Sequence, residues 1–186
     1  MRNALCVFSL LLLAALPAAA QDTPKAEVSV GYSYIRTNPA TPGIDSFNMN
    51  GGSASVAGNF NNWLGVVGDF GGYKVGKING VDVNATTYTY LFGPRVSWRG
   101  NDRITPFAQV LFGGAHIRAS AFGLTGSENA FALSAGGGVD VKVNDWLAIR
   151  PVQFEYLHTR FDEGFGNDRQ HSFRYTGGIV LRFGKK

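Results

Sequence analysis

Cysteine is almost missing from this 186-residue chain: the one present, Cys6, falls within the first twenty residues. A disulfide framework is therefore excluded from the rest of the chain. Long apolar runs are missing as well. Beyond residue 20 no stretch approaches the ~20 residues that a membrane-crossing helix needs. Charge is sparse at 16%, and 17 basic against 13 acidic residues leave a net charge of only +4. That excess is too mild and too scattered to point to a nucleic acid. A 3.6-residue apolar period is also lacking, so a helical domain is not expected. Two classes survive these exclusions: an exported β protein in water, or a barrel that crosses a membrane with its strands, whose signal per strand is weak.

What is present begins with export. Met1-Arg2, the apolar Ala4–Leu16 stretch and Pro17-Ala18-Ala19-Ala20-Gln21 form a basic start, a hydrophobic centre and an Ala-x-Ala cleavage site. Residues 1–20 are expected to be a cleaved signal peptide and 21–186 the mature domain. No hydrophobic centre precedes Cys6, so it is not a lipoprotein cysteine. Cleavage removes one charge, Arg2, and leaves 16 basic and 13 acidic residues, net +3.

The remainder is a sequence of alternating segments broken by turn chemistry, rich in glycine (25 residues) and aromatics (13%). Period-2 alternation implies strands whose two faces meet different surroundings. Eight are expected, near 26–36, 50–59, 63–73, 86–97, 105–116, 130–142, 147–159 and 173–183. Three connections are short: Asn59-Phe60-Asn61-Asn62, the run around Gly100-Asn101-Asp102, and Val143-Asn144-Asp145. Four others are expected to be long, near 37–49, 74–85, 117–129 and 160–172. Tight turns at one end and long loops at the other describe an all-β, eight-stranded antiparallel up-and-down barrel. Each tryptophan lies beside a short turn, Trp63, Trp98 and Trp146, as an interfacial aromatic girdle requires.

Strand parity separates the two faces. One carries Val28, Val30, Tyr32, Tyr34, Leu64, Val66, Phe70, Tyr88, Tyr90, Phe92, Val96, Val110, Phe112, Phe131, Leu133, Val139 and Val141, without a charge. The other carries nearly all the ionisable groups. An Arg or Lys facing the middle of a bilayer costs about 2–4 kcal/mol, so this segregation puts lipid outside and the charges inside. Arg150 and Glu155 differ in parity yet should both point inward, so a β-bulge is expected near Pro151-Val152. The inward set is then Glu27, Asp69, Asp140 and Glu155 with Arg95, Lys142, Arg150, Arg174 and Arg182. Near balance suggests mutual pairing, and eight strands leave an interior just filled by side chains. A closed polar core is expected, not a wide pore.

The final strand alternates from Phe173 to Phe183. Its ending, Thr176-Gly177-Gly178-Ile179-Val180-Leu181-Arg182-Phe183, with the export signal and the eight segments, resembles the OmpA/OmpX-like outer-membrane β-barrel family. Asn59–Val66, Leu91-Phe92-Gly93-Pro94-Arg95 and Thr105–Gly114 are similar to that family's hairpins. The resemblance implies residence in the outer membrane of a Gram-negative bacterium, among outer-membrane lipid and lipopolysaccharide. It also implies that Thr176, Gly178, Leu181 and Phe183 form a signal read by the barrel-assembly machinery, although here Gly184-Lys185-Lys186 follow the terminal aromatic.

Catalytic signals are weak. His116, His158 and His171 are far apart in sequence. Some small barrels of this kind are lipid A deacylases with a His-x-Ser pair, and here His171 is followed directly by Ser172. Gly136-Gly137-Gly138 lacks the Gly-Lys-Ser/Thr of a phosphate loop, and no cluster has metal-ligand spacing. Asp162-Glu163 and Asn167-Asp168 read as a solvated loop. No enzyme activity, metal or cofactor is expected. The expected role is structural, or a surface role such as adhesion or contact with an extracellular ligand of unknown identity through the loops. A narrow porin-like channel is the alternative, and a lipid A-modifying enzyme a more distant one.

Overall fold

The computed structural model describes residues 23–39, 46–78, 81–121, 124–161 and 169–185. The expected signal peptide and the acidic pairs at 162–163 and 167–168 lie outside the described residues. Eight strands follow one another: β1 (Pro24–Pro39), β2 (Phe47–Asn59), β3 (Leu64–Ile78), β4 (Val81–Ser97), β5 (Ile104–Ala121), β6 (Leu124–Lys142), β7 (Leu147–Phe161) and β8 (Arg169–Lys185). Each pairs with its sequence neighbour, and β8 closes on β1 to make one barrel. Closure leaves no unpaired strand edge, which lipid would not tolerate. The closing ladder runs antiparallel from Pro24 opposite Lys185 to Pro39 opposite Gln170.

The three short connections share one chemical device. Asn61 Oδ1 accepts hydrogen bonds from the backbone N–H of Trp63 (3.0 Å) and Leu64 (2.7 Å). Asn101 does the same for Arg103 and Ile104, and Asn144 for Trp146 and Leu147. The side chain mimics a backbone turn, which is why asparagine recurs at these places.

The other end departs from expectation. The β3–β4 ladder continues to Ile78 opposite Val81 and the β5–β6 ladder to Ala121 opposite Leu124. The expected loops at 74–85 and 117–129 are therefore mostly strand. The reason is physical. Backbone pairing does not depend on side-chain alternation, so the ladders go on where the sequence pattern stops.

A bulge sits where β7 changes parity: Arg150 and Gln153 on β7 face Gly178 and Thr176 on β8. Arg150, Gln153 and Glu155 all end up buried inside. The apolar face is turned outward throughout, with Val30, Val66, Phe92, Val110 and Phe131 each 46–54% exposed. The interior is less uniformly polar than expected. Leu91, Leu111, Val67 and Leu157 form one buried apolar cluster with four alanines, and Ile35, Met49, Tyr73 and Val75 form another. Inward apolar residues are spread over so many strands that no single alternating segment reveals them.

Gly71 shows how tightly this interior fits. A Cβ there would lie 2.1 Å from the Tyr73 hydroxyl and 2.7 Å from Thr89 Oγ1. Gly71→Ala should push Tyr73 off Arg174 and cost about 1–3 kcal/mol. In a Tyr73→Ala background the same change should cost much less, a difference that a double-mutant cycle of urea unfolding in detergent micelles measures.

Candidate functional site in the barrel lumen

Arg174 is the centre of the lumen. It projects from β8 and is fully buried. Its Nη1 donates to Asp69 Oδ1 on β3 at 2.7 Å and to the Tyr73 hydroxyl at 2.9 Å. Its Nε and Nη2 donate to Glu155 Oε2 on β7 at 2.8 and 2.5 Å. Because β3 lies three strands from β8 around the wall, this guanidinium spans the lumen instead of lining it. Glu155 is held further by Gln109 Nε2 and Gln153 Nε2, each at 2.8 Å. Ser134 adds a donor to Glu155 at 3.3 Å. Every neighbour that could compensate a buried carboxylate is in place, and that is the condition for burying one.

A second group lies beside it. Arg150 grips Asp140 with two parallel bonds, Nε to Oδ1 at 2.6 Å and Nη2 to Oδ2 at 2.9 Å. This fork-on-fork geometry is the strongest that a guanidinium offers a carboxylate. The Phe107 ring receives Arg150 on its face at 4.5 Å and Arg95 at 4.4 Å. Arg95 also donates to Gln109 at 2.9 Å, while its Nη2 has no hydrogen-bond partner among the described residues.

At the short-turn end Glu27 accepts hydrogen bonds from Arg99 and Asn59 and forms an ion pair with Arg182. Arg99 Nη2 is 3.2 Å away, Arg182 Nε 3.3 Å and Asn59 Nδ2 3.3 Å. On the β8–β1–β2 wall hydroxyls link directly, Ser29 to Ser55 at 2.6 Å and Ser33 to Thr176 at 2.8 Å. Between Ser29, Ser53, Asp69, Arg150 and Gln153 remains a cavity of about 10 Å³, no more than one water fills.

Of the nine charges assigned to the interior, Glu27, Asp69, Arg95, Asp140, Arg150, Glu155 and Arg174 are buried there, and Arg182 meets Glu27 near the turn end. Lys142 does not join them. It stands at the rim, 36% exposed, paired with Asp145 at 2.8 Å, because β6 ends at this residue and its side chain reaches past the wall into the turn. Arg99 is the charge that sequence reasoning missed. Counting the parity of Arg95 and Ser97 two residues onward into the turn would have found it.

Trp98 and Trp146 are exposed and Trp63 half buried, all at the short-turn end. Thr176 is buried in the lumen, while Phe183 stands outward and opposite Ala26. Gly178 packs against the Val30 carbonyl of β1, and Leu181 pairs with Val28 and Leu147. The histidines are divided. His158 and His171 face each other across β7 and β8 with ring centroids 5.1 Å apart on the outer wall. His116 is bonded to Asn129 at 2.7 Å on another part of that wall. Among the described residues no three His, Cys, Asp or Glu side chains form a group that could hold a metal ion.

An apolar exterior, a paired-charge interior and a closed eight-strand wall are the properties of an outer-membrane barrel. The family model of the outer membrane protein beta-barrel domain matches residues 6–183. The chain belongs to that family. Solved barrels with the same fold include Neisserial surface protein A, with TM-score 0.70, 14% identity, and coverage of 86% of this chain and 97% of that one. The attachment invasion locus protein Ail of Yersinia pestis gives TM-score 0.57 at 20% identity, covering 85% of this chain and 99% of that one. OprG of Pseudomonas aeruginosa gives 0.58 at 10%, covering 88% and 98%. At such identities the likeness is one of fold. Among curated proteins no sequence matches.

Proposed function

We propose that this outer-membrane barrel is a sealed scaffold without catalytic activity, working at the cell surface through its loop end by adhesion or ligand contact. The observation that carries this is Arg174, whose guanidinium joins β3 to β7 across the lumen with bonds of 2.5–2.9 Å. A barrel braced in this way has its interior committed to its own stability. Its distinctive chemistry is left to the exposed end. A Yersinia pestis barrel of this fold is an attachment invasion locus protein, so the scaffold is compatible with surface work.

Residues 1–20 would be removed on export. Trp63, Trp98 and Trp146 would then anchor the short-turn end at the periplasmic interface, where indole rings prefer to sit. Thr176, Gly178, Leu181 and Phe183 would serve as the signal for the barrel-assembly machinery. Planar-bilayer recording tests the sealed reading. The wild-type barrel should give no stable conductance steps, whereas steady steps that vanish on interior substitution would establish the narrow channel instead.

A further inference from the structure

Charge is unevenly spread along the lumen. Among the described residues it encloses five guanidiniums, those of Arg95, Arg99, Arg150, Arg174 and Arg182, against the four carboxylates of Glu27, Asp69, Asp140 and Glu155. Toward the loop end one cation serves two acids, since Arg174 bridges Asp69 and Glu155. Arg150 and Asp140 balance each other. At the short-turn end the ratio reverses. Glu27 stands with Arg99 and Arg182, while Arg95 meets neutral partners, the Gln109 amide oxygen and the Phe107 ring. This floor of the lumen is therefore cationic, and the described lumen as a whole keeps one positive charge without a counter-charge. Burying an uncompensated charge is costly.

The donors at the floor point to what offsets it. Arg150 grips Asp140 through Nε and Nη2, and Arg174 holds Glu155 through the same two atoms. In Arg182 that same edge is unfilled: Nε and Nη2 are closed to solvent and have no hydrogen-bond partner among the described residues. Arg95 Nη2 is in the same condition. Arg95 stands on β4 and Arg182 on β8, four strands apart in a ring of eight, so the two side chains enter the floor from opposite walls. Glu27 Oε1 lies 3.3 Å from Arg182 Nε and is the one like charge that an anion there must tolerate.

We propose that the lumen floor is a seat for one small monovalent anion of the halide type, held between Arg182 and Arg95. The Nε and Nη2 of Arg182 and the Nη2 of Arg95 donate to it as charge-assisted bonds. One such ion neutralises the residual charge of the described lumen. A polyatomic anion such as phosphate has no room where side chains fill the interior. The seat is independent of what the loops contact.

Urea unfolding of the full barrel refolded in detergent micelles tests this, with chloride as the probe. Sodium chloride is compared with sodium gluconate, whose anion is too large for the seat, at equal ionic strength and pH. At 100 mM, chloride should lower the unfolding equilibrium constant about tenfold, as a site with a dissociation constant of about 10 mM would. R95Q and R182Q should each reduce that effect to less than twofold, and R95K should keep part of it. K74Q, which removes an exposed cation near the loop end, should leave it intact. Crystals grown in bromide should show one anomalous peak per barrel between Arg95 and Arg182. The wild-type comparison and the bromide map do not depend on any variant folding. Equal unfolding of the wild type in the two salts, an undiminished chloride effect in R95Q and R182Q, or a lumen floor without bromide would each overturn the seat.

Discussion

Arg174→Ala is expected to remove about 3–5 kcal/mol of stability, the largest effect of any single interior substitution. The magnitude follows from what is left behind. Asp69 and Glu155 are 3% and 0% exposed, so without the guanidinium two carboxylates remain buried with their main counter-charge gone. Arg174→Lys should recover part of the loss, because an ammonium keeps the charge but cannot reach Asp69, Tyr73 and Glu155 together as a planar fork does. A triple replacement of Arg174, Asp69 and Glu155 by apolar residues of similar size should cost much less than Arg174→Ala alone, since burying no charge removes the penalty at its source. Urea unfolding in vesicles or micelles measures all three. If Arg174→Ala unfolds at the wild-type midpoint, the trans-lumenal bridge is not what holds the wall together.

Val110→Arg should cost about 2–4 kcal/mol, through the opposite face. Val110 is 48% exposed on the outward side of β5, flanked there by Ala108 and Phe112. An arginine at that depth must either enter hydrocarbon or drag water and headgroups toward it. Asn48→Arg, outward on β2 but beyond the apolar band, should be within about 0.5 kcal/mol of wild type. Folding into lipid vesicles distinguishes the two, and equal costs would mean that the outward face does not meet lipid.

These two substitutions mark what could be read from the sequence. The exterior was legible because lipid permits nothing charged on the outward face, so Val28 to Tyr34 alternate without exception. The change of parity between Arg150 and Glu155 was equally readable, since a proline between two inward charges leaves a bulge as the economical answer. The length of β3 to β6 at the loop end was not. Lys74, Thr86 and Arg118 pair in register across three strands, yet nothing in their polarity separates a strand in water from a loop. Pairing partners were hidden for another reason. Asp69 and Arg174 are 105 residues apart, and only the circumference of the barrel brings them together. Lys142 was misplaced because parity says which way a side chain starts, not how near the end of the wall it stands.

The scarcity of cysteine provides the most direct measurement. Beyond residue 20 the chain has none, so a single introduced thiol reports one position. Ser46→Cys, exposed at the loop end, and Asp102→Cys, exposed in a short turn, can be treated on intact cells with a membrane-impermeant maleimide. A barrel set in the outer membrane with its loop end at the surface predicts labelling at 46 at once, and at 102 only after the outer membrane is opened. Labelling at 102 but not at 46 on intact cells would contradict that account.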